Sequence, residues 1–80
     1  MQKNKVLIVD DEENIREVIK EYALQENFEV TEADNGIKAL ELLNNEEFDL
    51  MVLDIMMPKM DGFTLLNNNK KKKRIPTIIL

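Results

Sequence analysis

The sequence predicts an α/β fold in which a parallel sheet has helices on both faces, and three observations predict it. Val6, Leu7, Ile8 and Val9 form a continuous apolar run, and residues 48–53 form a second, broken only by Asp49. Such runs suit central parallel strands covered on both sides, because a half-exposed strand alternates apolar with polar residues. Between and after them lie stretches with helical spacing, so the order reads βαβαβαβ, which implies right-handed crossovers and one parallel sheet.

Each element follows from local pattern. Residues 6–9 make the first strand, and two acids follow at once, Asp10 and Asp11. Ile15, Val18, Ile19, Tyr22 and Ala23 fall at i, i+3, i+4, i+7 and i+8, the stripe of a one-sided helix whose N-terminus favours Asp11 and Glu12. On that face Tyr22 is expected in the core. Phe28, Val30 and Glu32 alternate with Glu29 and Thr31, as in a strand at a sheet edge. Asn35-Gly36 ends it, Ile37, Ala39, Leu40, Leu42 and Leu43 make a second helix, and Asn44-Asn45 close that helix. The third strand, residues 48–53, delivers Asp54. A loop with Pro58, Asp61 and Gly62 leads to a third helix from near Phe63, and Ile75-Pro76 leads into Thr77, Ile78, Ile79 and Leu80 as a fourth strand.

Composition bounds the chemistry. Eighty residues make one domain with a small core, stable by about 4–12 kcal/mol at ordinary per-residue values. With 44% apolar and 34% charged residues the balance is globular, and no stretch is apolar enough for a signal peptide or membrane span, so the expected compartment is the cytoplasm. The chain has no histidine and no cysteine, which removes histidine bases, imidazole ligands, thiolate catalysis and cysteine zinc sites. A net charge of -5 argues against nucleic acid as a partner of the folded body. The basic run Lys70, Lys71, Lys72, Lys73 and Arg74 reads as a solvated helix end, and Met51, Met56, Met57 and Met60 as packing.

What remains is carboxylate chemistry. In open parallel sheets, ligands bind at the carboxyl ends of the strands where the strand order reverses, and Asp10, Asp11 and Asp54 all belong to that edge. If the first and third strands are neighbours, the three acids converge, and protonation or a cation must relieve their repulsion. All-oxygen ligands suit Mg²⁺. The plainer alternative has Asp10, Asp11 and Glu12 capping the helix and Asp54 opening a turn.

The two segments KVLIVDDEENIREVIKEYALQENFEVTEADNGIKALELL and FDLMVLDIMMPKMDGF, taken together, resemble the receiver domain of two-component response regulators. The resemblance runs from Lys5 to about Leu66, and residues 75–80 are similar to that family's fourth strand. It implies a flavodoxin-like three-layer fold, here with four parallel strands in the order 2-1-3-4 and three helices, residues 1–80 forming a partial receiver domain. It further implies that Asp54 accepts a phosphoryl group from the phosphohistidine of a sensor histidine kinase. Asp11 and Asp54 would hold Mg²⁺ directly, Asp10 would act through water, and the backbone carbonyl of Met56 would be a further ligand. A signalling module of this kind is not an enzyme in the ordinary sense.

The sequence departs from the family pattern after the fourth strand: the switch Thr or Ser and the lysine that contacts the phosphoryl group are not among these residues, which predicts impaired phosphorylation. Lys59, in the loop after Asp54, is the nearest substitute, whereas the run at 70–73 belongs to the far end of its helix. Asn67, Asn68 and Asn69 interrupt the third helix and predict fraying. An open fourth strand predicts self-association through Thr77 to Leu80, which defines a competing function as a non-phosphorylated interaction or assembly fragment. A Mg²⁺-dependent phosphohydrolase with Asp54 as nucleophile is disfavoured, because no second general acid follows it at close spacing.

Overall fold

The structure is a computed structural model that describes residues 4–54 and 75–80. Its elements are β1 (Asn4–Val9), α1 (Glu13–Gln25), β2 (Phe28–Ala33), α2 (Gly36–Asn45), β3 (Leu50–Leu53) and β4 (Thr77–Ile79). The expected third helix, with Asn67, Asn68, Asn69 and the basic run at 70–74, lies outside the described residues.

The four strands form one parallel sheet in the order β2-β1-β3-β4, as expected, with β2 at one edge. Side chains alternate between faces along each strand, so the continuous apolar runs feed two separate clusters. Leu7, Val9, Met51 and Leu53 join Ala33, Phe48 and the Ala39 and Leu43 side chains of α2. Val6, Ile8 and Val52 form the second cluster, against which Ile19 and Ala23 of α1 pack with Phe28, Val30 and Leu50. Both faces of β1 are thus covered, and Val6, Leu7, Ile8 and Val9 are each at most 1% exposed.

Local chemistry sets the element ends. Asn35 caps α2, its side-chain oxygen accepting the Lys38 backbone N–H at 2.8 Å. Beyond α1, Asn27 adopts a positive φ of 65°, the left-handed conformation that asparagine tolerates better than most residues. The third strand begins at Leu50 rather than at Phe48; Phe48 is buried before it, and Lys5 Nζ lies 5.4 Å from its ring centre.

Tyr22 corrects the expectation drawn from the stripe on α1: it is 69% exposed, Val18 is 54% exposed, and no residue of α1 is fully buried. The helix packs against β1 and β2. Only Ile19 and Ala23, on one flank of the stripe, reach the cluster beneath it.

Candidate metal centre

The strand order turns outward in both directions from the boundary between β1 and β3, since β2 lies beyond β1 and β4 beyond β3. The register pairs Val9 with Ala33 on one side and with Leu53 on the other, so β1 and β3 end level. The residues that follow are Asp10 and Asp54. Both backbones are held by continuation of the ladder: Asp10 N–H donates to the Ala33 carbonyl at 3.1 Å, and Asp54 N–H donates to the Val9 carbonyl at 2.9 Å. A parallel sheet with level strand ends therefore converts two distant sequence positions into neighbours.

Asp11 completes the group. One carboxylate oxygen from each of Asp10, Asp11 and Asp54 lies within 4.8 Å of the others; Asp10 is buried, Asp54 half-buried and Asp11 exposed. Of the acids in the plain capping alternative, Glu12 stands at the cap of α1 and makes no side-chain cap hydrogen bond. A local bond exists elsewhere: Asp10 Oδ1 accepts the Glu12 backbone N–H at 2.9 Å. That bond restrains one Asp10 oxygen.

The electrostatics are unfavourable without a counter-charge. Burial, first, pushes the Asp10 carboxyl above its ordinary 3.8, and the negative charges of Asp54 and Asp11 push the same way; the Glu12 N–H bond opposes them. Three hard oxygen donors, with no nitrogen or sulfur among them, fit an alkaline-earth cation such as Mg²⁺ or Ca²⁺.

Two expected contributors, the Met56 carbonyl and Lys59, lie outside the described residues, as do Pro58 and Gly62. One residue that the sequence reading did not single out does reach the site. Arg16 of α1 donates from Nη1 to the Asp10 backbone carbonyl at 2.8 Å and from Nε to Glu32 Oε1 at 3.1 Å. A signal was available: cations are disfavoured near a helix N-terminus, so an arginine just after the first turn of α1 calls for a compensating contact.

A doubly wound parallel α/β domain with a three-carboxylate cluster at its strand-order reversal is a recognisable class of protein. The chain belongs to the response regulator receiver domain family, whose sequence profile matches residues 6–80. It is 42% identical over 77 residues to the transcriptional regulatory protein SrrA of Staphylococcus aureus, covering 96% of this chain and 32% of SrrA. The chain thus spans about a third of the length of the curated relatives it matches. Among solved structures it resembles a Francisella response regulator receiver domain, with 37% identity, a TM-score of 0.87, and coverage of 96% of this chain and 64% of that one. It also resembles the Thermotoga maritima response regulator TrrA in complex with Mg(2+)-BeF, with 41% identity, a TM-score of 0.81, and coverage of 88% and 61%. Among the described residues no helix is long and apolar enough to cross a membrane.

Proposed function

We propose that this chain is a partial receiver domain, residues 1–80, in which Asp54 accepts a phosphoryl group from a sensor histidine kinase in the cytoplasm with Mg²⁺ held by Asp10, Asp11 and Asp54. The observation that supports it most is the convergence of three carboxylates, within 4.8 Å, at the reversal of strand order. TrrA, a 41% identical relative crystallised with Mg(2+)-BeF, supports the choice of metal.

The chemistry asked of the residues is short. An Asp54 carboxylate oxygen bonds to phosphorus as the phosphorus–nitrogen bond of the phosphohistidine breaks, and the electron pair leaves on the imidazole nitrogen. The ladder bond from Asp54 N–H to the Val9 carbonyl fixes the backbone from which the nucleophile projects. When bound, Mg²⁺ supplies positive charge that offsets the negative charge of the phosphoryl oxygens. In this reading Asp11 and the backbone carbonyl of Met56 are the further direct ligands, Asp10 acts through water, and Lys59 supplies a side-chain cation for the phosphoryl oxygens.

Incubation with Mg²⁺ and acetyl phosphate, read by intact mass, is expected to add one phosphoryl group to the wild type and none to Asp54→Asn or to protein in excess chelator. Lys59→Ala should slow the transfer. An adduct that persists in Asp54→Asn sinks the assignment.

A second reading, self-association through the fourth strand, draws on a different observation. Among the described residues β4 pairs only with β3, and Ile78, Ile79 and Leu80 are each more than half exposed. Unpaired edges flanked by apolar side chains recruit further strands. Sedimentation velocity over a range of concentrations should show a dimer or larger species that Ile78→Lys abolishes; a strictly monomeric wild type removes this reading.

A further inference from the structure

The Arg16 contacts assign that residue a role the carboxylates alone do not reveal. Its side chain is 15% exposed, and its guanidinium joins three pieces of chain. The stem rises from α1, Nε pairs with Glu32 of β2 at 3.1 Å, and Nη1 donates to the carbonyl of Asp10 at 2.8 Å. That carbonyl belongs to the peptide unit linking Asp10 to Asp11, and its orientation sets the direction in which Asp11 projects relative to Asp10. On the side chain of the same residue, the Glu12 N–H holds Asp10 Oδ1 at 2.9 Å. The Asp10–Asp11 turn is therefore gripped at a backbone oxygen and at a carboxylate oxygen from two directions.

Arginine is suited to this and lysine is not. A planar fork presents two donors at fixed separation, so the Glu32 carboxylate sets the plane in which the second donor meets the Asp10 carbonyl. Lys20 also approaches Glu32, at 3.7 Å, yet no hydrogen bond joins it to the Asp10 carbonyl, which makes it an internal control for loss of charge beside Glu32.

We infer that Arg16, anchored by Glu32, is a positioning residue that sets the spacing of the Asp10 and Asp11 carboxylates to that required by a small octahedral divalent cation. The inference rests on the proposed reading of these acids as a Mg²⁺ site. It has a consequence that mere loss of stability lacks. Mg²⁺ demands near-ideal octahedral geometry with short bonds, whereas Ca²⁺ accepts longer bonds and irregular arrangements. Loosening the Asp10–Asp11 peptide should therefore weaken Mg²⁺ far more than Ca²⁺. Partners that orient metal ligands commonly change affinity by roughly 10–100-fold, and a contact made through a backbone carbonyl belongs near the lower figure.

The test titrates the full chain with MgCl₂ and, separately, CaCl₂, following the backbone amide resonances of Asp10, Asp11 and Asp54. Arg16→Met keeps the apolar stem and removes the fork; Arg16→Lys keeps the charge and removes the fork. Both are expected to bind Mg²⁺ about tenfold more weakly with Ca²⁺ affinity changed less than threefold, and Lys20→Met is expected to match wild type. Should the Arg16 variants fail to fold, Glu32→Gln is the test, with the same preferential loss of Mg²⁺ on a smaller scale. Wild-type binding of Mg²⁺ together with unchanged affinity in the variants, or an equal fall for both ions, overturns the role of Arg16 and leaves the metal site standing. No Mg²⁺-dependent shift in the wild type overturns both.

Discussion

Asp10 is 1% exposed and its carboxylate faces two other acids, so its folded environment penalises the charged form. Burial first, and the Asp54 and Asp11 charges after it, hold its pKa above the 3.8 expected of an unfolded chain. The sign of the linkage follows. The folded state keeps the proton to a higher pH than the unfolded state does, so this group's contribution to stability is complete below 3.8 and is lost as pH rises through the raised value. At neutral pH without metal, ionised Asp10 is a burden. Asp10→Asn is therefore expected to raise the melting temperature in chelator at pH 7; a gain of about 1 kcal/mol corresponds to roughly 4–8 °C for a domain of this size. The gain should shrink as the pH falls through the raised value. Thermal unfolding of both proteins by circular dichroism from pH 7 downward measures it, and a gain independent of pH counts against the electrostatic cause.

At the scale of elements, the two helices show what periodicity can and cannot tell. In α2 the spacing of Ile37, Ala39, Leu40, Leu42 and Leu43 predicts a face, and Ala39 and Leu43 are 0% and 2% exposed, whereas Ile37 at the head of the helix is 50% exposed. In α1 an equally regular stripe leaves Val18 and Tyr22 more than half exposed. Periodicity states which side chains share a face; how much of that face is covered depends on where the helix lies over the sheet, and that is a tertiary fact. The strands were more legible, because the runs at 6–9 and 48–53 are apolar enough to require two covered faces, and the sheet supplies both. The contrast gives a quantitative expectation. Leu43→Ala empties a packed site between α2 and the sheet and should cost about 2–5 kcal/mol, a large share of a small domain's stability. Val18→Ala, on the exposed flank, should change stability by less than about 0.5 kcal/mol. Urea unfolding midpoints compare them directly, and similar losses would mean that the α1 stripe is covered in solution.

For the whole molecule, the acids are the point where sequence, topology and charge meet. The convergence of Asp10, Asp11 and Asp54 was legible because each follows a buried run, and parallel strands in register bring their ends level. Arg16 was not legible, since its partner is a backbone carbonyl, which no side-chain pattern reports. Together these features make a folded state that concentrates negative charge which the unfolded chain disperses, and a cation that binds only the folded arrangement must stabilise it. At a free Mg²⁺ concentration of about 100 times the dissociation constant, the linkage contributes about 2.7 kcal/mol, or roughly 10–20 °C in melting temperature for a chain of this length. Protons compete with the metal for Asp10, so the Mg²⁺-induced rise should diminish as the pH falls through that group's raised pKa. Asp11→Asn and Asp54→Asn should each remove most of the rise while leaving the fold intact, because Asp11 is exposed and Asp54 half-buried at the edge of the sheet. Melting curves with and without MgCl₂ decide it. A rise of the same size in both variants would assign the stabilisation to general screening of a chain of net charge -5 rather than to this cluster, and NaCl at matched ionic strength would then reproduce it.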